Sequence, residues 1–237
     1  MTLEAILFDK DGTLVDFDRT WGPAAYAVMR TLANGDEGAF ARLVEVSMFD
    51  LDGRKFGPDS PLLAGSSAVY GPLWAKAIGV SDVPRLCARM DDLFRNAALE
   101  TLAPLCDLPA LAGGLHARGL KLGIASNDAE ASVRAQAARL GLTDLMCFMA
   151  GYDSGHGGKP LPGMVTAFAD HCGVAPGRVA MVGDTMHDIH AAKAAGAVAV
   201  GVLTGPAQHG ELLQHADHVI EHVQDLPALI DRLRAAA

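Results

Sequence analysis

The chain has 237 residues, of which 50% are hydrophobic, and 28 acidic against 19 basic side chains give a formal net charge of −9. This composition is typical of a globular protein with a buried core and excludes a disordered or low-complexity chain. The acidic balance makes nucleic acids and anionic membranes poor candidates, so we expect neither as a partner.

The first half of the chain begins as a strand and continues as helices. The short run from Leu3 to Phe8 is mainly apolar and is followed by turn residues, which predicts a buried strand. Apolar residues then recur at helical spacing, with Asn34-Gly35-Asp36 as a helix–helix turn. The predicted segments are a strand at 3–8, helices within 21–46, at 68–78 and at 83–99, and a loop at 52–67. These segments predict an all-helical insert.

The second half alternates between strands and helices. Helices are predicted at 108–118, 130–140, 161–172, 187–195 and 225–233, and strands at 120–125, 146–150, 179–182, 198–202 and 218–220. Such alternation, with almost continuously apolar strands, predicts a parallel sheet covered on both faces. The expected fold is α/β, a doubly wound Rossmann-like core of residues 1–16 and 99–237 interrupted by a helical domain at 17–98.

Cysteine usage and the chain start favour a reducing compartment. The four cysteines are widely spaced and form no Cys-x-x-Cys pair, which argues against a zinc knuckle or a thioredoxin-like site. The first residues lack the basic and apolar regions of a signal peptide, and no apolar run approaches the roughly 20 residues of a membrane span. We therefore expect a cytoplasmic location, as a monomer or homodimer.

An acidic pair, Asp9 and Asp11, follows the first predicted strand. Open α/β sheets bind ligands at this end of their strands, and side chains two residues apart on an extended segment point the same way. A nucleophilic carboxylate beside a proton-transferring one suits phosphoryl transfer. Gly12 permits a tight turn whose N–H groups can hold phosphate oxygens. Taken alone, the same segment is equally typical of a turn or a calcium-type loop.

A second acidic pair, Asp184 and Asp188, follows the strand predicted at 179–182. Residues four apart share one face of a helix that begins by Thr185, and carboxylate oxygens are the ligands that Mg²⁺ prefers. The alternative is helix capping by Asp184, with Asp188 as a favourable acid in the first turn.

Two further polar segments lie between the acidic pairs. Ser126 and the backbone N–H of Asn127 end a strand and are candidates to bind phosphate, although Ser126 is equally suited to cap the following helix. Lys159, in a glycine-rich loop, is a candidate to neutralise phosphate and to keep a carboxylate ionised, although a lone lysine there is usually a solvated surface residue.

These four segments, in this order, resemble the motifs of the haloacid dehalogenase superfamily, and specifically its helical-cap phosphatases. The matching segments are residues 9–15, Ser126-Asn127, Lys159-Pro160, and 183–188. The overall layout is similar to that of the family's phosphoglycolate phosphatases. The resemblance predicts an enzyme that hydrolyses phosphoric monoesters of small phosphorylated metabolites with Mg²⁺ as cofactor.

The resemblance also implies a role for each residue. Asp9 is expected to attack phosphorus and become an aspartyl-phosphate, and Asp11 to protonate the leaving alcohol and then activate water. Ser126 and Lys159 are expected to bind the transferring phosphoryl group. The magnesium ligands implied are Asp9, the backbone carbonyl of Asp11, Asp184 and, directly or through water, Asp188.

Two residues next to the nucleophile refine the expectation. Dehalogenases of this superfamily lack an aspartate at the position of Asp11, because halide leaves without a proton, so dehalogenation is not expected. Phosphonate cleavage is also disfavoured. Lys10 stands where Leu or Met is common in the family, and strand alternation predicts that it points away from both carboxylates, with little catalytic consequence.

The insert is expected to act as a cap that excludes water from the site and contacts the substrate. Arg54 and Lys55 are its candidate cations for a carboxylate or a second phosphate, although solvated surface charge explains them equally well. Two other functions remain open. A hexose-phosphate mutase also needs both Asp9 and Asp11, and a non-catalytic binding protein on this scaffold would have lost a nucleophile or a metal ligand.

Overall fold

The computed structural model describes residues 2–63, 65–205 and 209–235. The elements in chain order are β1 Ala5–Phe8, α1 Phe17–Ala33, α2 Glu37–Val46, β2 Phe49–Asp50, β3 Lys55–Phe56, α3 Ser67–Ile78, α4 Val83–Thr101, α5 Leu108–Ala117, β4 Lys121–Ala125, α6 Glu130–Arg139, β5 Phe148–Ala150, α7 Gly163–Cys172, β6 Val179–Gly183, α8 Met186–Ala195, β7 Val198–Val202, α9 His209–His215, β8 His218–Ile220 and α10 Leu226–Ala235, with short 3₁₀ turns at Thr143–Leu145, Pro176–Arg178 and Val223–Asp225.

The described residues form a six-stranded parallel sheet in the order β5-β4-β1-β6-β7-β8. Strand β1 lies between β4 and β6, with Leu7 opposite Gly123 on one side and Met181 on the other. The chain therefore adds β4 and β5 on one side of β1 and then crosses to β6 on the other. Ligands of open α/β sheets bind at the carboxyl ends of the strands where the strand order reverses in this way.

Helices cover both faces of the sheet, as alternation along β1 shows. Ile6 and Phe8 belong to one buried cluster with apolar residues of α5, α6 and α10. Ala5 and Leu7 belong to a second cluster with residues of α7, α8 and α9. Since successive side chains of a strand point to opposite faces, each face has its own core. The predicted doubly wound α/β fold is confirmed.

The chain divides into two compact units, residues 1–16 with 104–237 and residues 17–103. The second unit contains α1 to α4 around its own core, in which Trp74 is fully buried and donates from Nε1 to Ser47 Oγ at 2.9 Å. The expectation that this insert is all-helical is wrong, because β2 and β3 pair as a small antiparallel ribbon. Two-residue strands are too short to show an alternating pattern in the sequence.

The sequence missed one further element, helix α9. Its segment, His209–His215, is short and polar, and only Leu212 is buried, so it shows no clear helical periodicity. Helix α4 continues to Thr101, past the expected boundary at 98–99. Among the described residues, no helix is long and apolar enough to cross a bilayer.

Candidate active site

The candidate residues lie where neighbouring parallel strands end. Asp9 directly follows β1, Ser126 follows β4, and Asp184 follows β6. The backbone N–H of Asp9 donates to the carbonyl of Val182 at 2.8 Å and so continues the ladder one residue past the strand. The carboxyl edge of the sheet at the strand-order reversal therefore brings these side chains together.

One group of charged side chains, which we call the Lys159 cluster, contains Lys159, Asp9, Asp184 and Asp188. Lys159 Nζ donates to Asp9 Oδ1 at 2.5 Å and to Asp188 Oδ1 at 2.6 Å. One carboxylate oxygen from each of the three aspartates lies within 4.8 Å of the others. All four residues are buried, so the solvated lysine that the sequence also allowed is not what the fold contains.

Burial and repulsion between neighbouring carboxylates raise the pKa values of Asp9 and Asp184. Desolvation, with Asp188 and Asp11 nearby, raises the pKa of Asp9 to about 7 against the opposing effect of Lys159. Desolvation, Asp9 and Asp188 raise the pKa of Asp184 well above its usual value. Burial alone would lower the pKa of Lys159, but Asp188 and Asp9 raise it overall. The lysine is therefore a fixed cation.

The Lys159 cluster fits a divalent cation. When all three carboxyls are ionised, they exceed the single ammonium by two negative charges in a buried place. Asp184 Oδ2 is buried and has no hydrogen-bond partner among the residues that the structure describes. A Cβ atom at Gly12 would lie 2.4 Å from that oxygen, and one at Gly205 would lie 1.7 Å from it, so only glycine leaves this space open. Buried, unpaired carboxylate oxygens suit a hard ion such as Mg²⁺.

The start of α8 orients Asp188. Its Oδ2 accepts hydrogen bonds from Thr185 N at 3.0 Å and Thr185 Oγ1 at 2.7 Å, which leaves Oδ1 for Lys159. Thr185 is thus the N-cap residue, and the alternative that Asp184 caps the helix is wrong. Asp184 instead precedes the helix and accepts from Thr13 Oγ1 at 3.1 Å.

Ser126 and Asn127 connect the strand end to the lysine loop. Ser126 Oγ lies 3.5 Å from Asp11 Oδ2, and Ala129, not Ser126, is the N-cap of α6. Asn127 Nδ2 donates to the carbonyl of Lys159 at 2.9 Å, and Lys159 N donates to Asn127 Oδ1 at 2.8 Å. The Asn127 side chain therefore holds the Lys159 backbone, a role that the sequence did not reveal.

The expectation that Lys10 points away from the carboxylates is wrong. Lys10 is 1% exposed, and its Nζ lies 2.7 Å from Asp11 Oδ1, 3.4 Å from Asp128 Oδ2 and 3.0 Å from Gln136 Oε1. Strand β1 ends at Phe8, so strict alternation no longer applies at residues 10 and 11. We call Lys10, Asp11, Asp128 and Gln136 the Lys10 cluster. No sequence motif pointed to Asp128 or Gln136.

Arg54 and Lys55 lie in the insert's small ribbon. The Arg54 guanidinium carbon is 3.5 Å from the centroid of the Tyr26 ring, a cation–π contact within that unit, and Lys55 is exposed in β3. Their assignment as substrate contacts stays a prediction.

Comparisons with known proteins identify the family of the chain. The family model of haloacid dehalogenase-like hydrolases matches residues 3–196. A phosphoglycolate phosphatase from Rhodospirillum rubrum is 34% identical over 196 residues, covering 81% of this chain and 76% of that protein. One from Escherichia coli K12 is 35% identical over 120 residues, covering 49% of this chain and 47% of that protein. A crystal structure of a predicted phosphoglycolate phosphatase from Haemophilus somnus covers 97% of this chain and 98% of its own, with a TM-score of 0.76 and 19% identity.

The chain belongs to the haloacid dehalogenase-like hydrolases, because the family model spans most of its length. Within that family it is an enzyme of the phosphoric monoester hydrolase class, similar to phosphoglycolate phosphatases. The structural neighbour, at 19% identity, shows the shared fold. The family resemblance inferred from the four motifs is thereby confirmed.

Proposed function

We propose that this phosphatase hydrolyses a small-molecule phosphate monoester, phosphoglycolate-like or a sugar phosphate, through an aspartyl-phosphate on Asp9. The observation that supports it most is the pairing of buried Asp9 with Lys159 beside two further carboxylates. A carboxylate paired with an ammonium, at the ligand-binding edge of the sheet, is suited to attack phosphorus.

The proposed reaction has two balanced halves. An Asp9 oxygen forms a bond to phosphorus while the bond to the ester oxygen breaks, and Asp11 donates a proton to the departing alkoxide. Asp11 then takes a proton from water as that water attacks phosphorus, inorganic phosphate leaves, and the Asp9 carboxylate is regenerated. Lys159, Ser126 and the backbone N–H of Asn127 bind the phosphoryl oxygens and stabilise the charge that develops on them.

Mg²⁺ is the proposed cofactor. Asp9, the backbone carbonyl of Asp11, Asp184 and Asp188 would hold it, and when bound it supplies charge neutralisation for the phosphoryl group. The excess negative charge of the Lys159 cluster and the unpaired Asp184 oxygen support this assignment.

The proposed substrate class is inferred from the proteins that this chain is similar to. The Rhodospirillum rubrum and Escherichia coli proteins are phosphoglycolate phosphatases, which supports a small phosphorylated acid. The insert is proposed as the cap, with Arg54 and Lys55 as contacts for a second anionic group. A cytoplasmic location and a monomeric or dimeric state remain predictions.

The test is release of inorganic phosphate from 2-phosphoglycolate, sugar phosphates and nucleoside monophosphates with Mg²⁺ or EDTA, with Asp9→Asn in parallel. We expect release that requires Mg²⁺ and disappears in Asp9→Asn, and a higher KM for the preferred compound in Arg54→Ala and Lys55→Ala. Isomerised sugar phosphate without phosphate release would instead establish a mutase. A folded protein that is inactive on every compound would favour a binding role.

A further inference from the structure

The Lys10 cluster is an ionic group next to the site, built around a buried lysine, and the proposed reaction steps use only its Asp11. The Lys10 ammonium has three hydrogens to donate. The acceptor oxygens near it are Asp11 Oδ1, Asp128 Oδ2 and Gln136 Oε1. Burying a lysine costs free energy unless the ammonium is paired. These acceptors therefore make the burial of Lys10 possible.

Contacts from α6 hold the far side of the cluster in place. Asp128 Oδ2 accepts from Ser132 Oγ at 2.6 Å, and Asp128 Oδ1 accepts from Ala129 N at 2.8 Å. Gln136 Nε2 donates to Ser132 Oγ at 3.1 Å. The Lys10 ammonium is thus attached to the start of a helix through partners that are themselves hydrogen-bonded.

The near side of the cluster is Asp11. Lys10 binds its Oδ1, while its Oδ2 lies 3.5 Å from the hydroxyl of Ser126, the candidate phosphate-binding residue. One carboxylate oxygen is therefore engaged by the lysine, and the other lies beside the position proposed for the phosphoryl group.

We propose that Lys10 is a positioning residue that anchors the Asp11 carboxylate to α6, so that Asp11 Oδ2 is oriented toward the leaving oxygen. This inference rests on the proposed function, since it assigns Lys10 to the proton transfer made by Asp11. Catalytic proton transfer depends strongly on geometry, and displacements of about 1 Å cost on the order of 10²-fold in rate.

The leaving group provides the test. An alkyl phosphate releases a strongly basic alkoxide that needs the proton from Asp11, whereas p-nitrophenyl phosphate releases a weakly basic phenolate that does not. The measurement is the first-turnover rate of alcohol or phenol release, by rapid quench, for the best alkyl phosphate of the metabolite panel and for p-nitrophenyl phosphate. A first-turnover rate excludes the later hydrolysis of the aspartyl-phosphate.

Lys10→Met removes the charge of the side chain and shortens it by one atom. We expect it to slow alcohol release about 10- to 100-fold with KM little changed, and to slow p-nitrophenol release less than about 3-fold. Lys10→Met leaves two partly buried carboxylates without their cation, so the double variant Lys10→Met/Asp128→Asn provides a more stable test. The double variant should also slow alcohol release more than p-nitrophenol release.

The matched control is Lys121→Met, because the Lys121 ammonium donates to the Cys172 carbonyl, outside the site.

Equal slowing of both substrates, or of neither, in a folded double variant would overturn the inference and leave the proposed phosphatase intact. Wild-type protein that releases no phosphate from any ester would overturn the proposed function, and the inference with it. The Asp9→Asn variant separates these cases, because it must be inactive whenever the wild type acts through the proposed nucleophile.

Discussion

The Lys159 cluster and the Lys10 cluster are both buried lysines held between aspartates, yet they differ in charge balance. Lys159 faces three carboxylates, one of which has an oxygen with no hydrogen-bond partner among the described residues. Lys10 faces two, and the more buried of these, Asp128, accepts further hydrogen bonds from Ser132 and Ala129. The first cluster therefore has room and charge for a divalent cation, and the second is completed by the protein.

This difference shows that a lysine between aspartates can have two different roles at one edge of a sheet. A cluster with uncompensated negative charge is a binding site that costs stability until its ligand arrives. A cluster whose carboxylate oxygens are held by the protein's own donors keeps a side chain in one orientation. Metal dependence is the property that separates the two.

The largest expected effect is on stability when either lysine is removed. Lys159→Met and Lys10→Met should each lower the free energy of unfolding by about 3 kcal/mol in EDTA, because each removes the ammonium that pairs with buried or partly buried carboxylates. Mg²⁺ should restore much of the loss in Lys159→Met and little in Lys10→Met. Urea unfolding with EDTA or Mg²⁺ measures this, with Lys121→Met as control. Equal restoration of both variants would contradict the distinction between the clusters.

Asp184→Asn and Asp128→Asn each neutralise one aspartate, in the Lys159 cluster and in the Lys10 cluster respectively. Mg²⁺ at about 100 times its Kd should raise the free energy of unfolding of the wild type by about 2.7 kcal/mol. Asp184→Asn should lose most of that gain, because it removes a proposed ligand, whereas Asp128→Asn should keep it. Calorimetric titration of Mg²⁺ into each variant provides the independent reading, and a full gain in Asp184→Asn would place the ion elsewhere.

The pH dependence of stability tests the charge excess directly. Because burial raises the pKa of Asp9 from its ordinary value of 3.8 to about 7, the folded protein binds more protons than the unfolded chain between these values. Stability in EDTA should therefore fall as pH rises from about 5 to 7, by about 2 kcal/mol more in wild type than in Asp9→Asn. Unfolding curves across this range measure it. Parallel curves for the two proteins would show that Asp9 is already ionised at pH 5.

The smallest expected effect concerns the contact between Asn127 and the Lys159 backbone. Asn127→Ala should lower the free energy of unfolding by about 2 kcal/mol and kcat about 10-fold, because two hydrogen bonds that hold Lys159 are lost. Ser154→Ala is the control, since Ser154 bonds Glu130 and Gly151 in the same loop without contacting Lys159. A similar loss of kcat in both variants would mean that the loop as a whole, not the Asn127 contact, places the lysine.

The local pattern of apolar and turn residues was sufficient to predict most of the helices and strands. Helix α8 and strand β6 begin and end within one residue of their predicted bounds, because apolar periodicity and turn residues mark both. The two-residue strands β2 and β3 and the polar helix α9 were missed, because such segments lack a repeating pattern. Sheet order was not readable from pattern at all, since it depends on which strands pair across more than a hundred residues.

The sequence by itself determined that Asp9, Ser126 and Asp184 follow strands of one parallel sheet, because strand ends and acidic motifs are local properties of the chain. The tertiary structure decided what those residues contact. Only the fold brings Lys159 onto Asp9 across 150 positions, and only the fold directs Lys10 onto Asp11, Asp128 and Gln136. The physical reason is that burying an unpaired charge costs free energy, so buried charged groups are paired. Which groups pair depends on how the strands and helices pack.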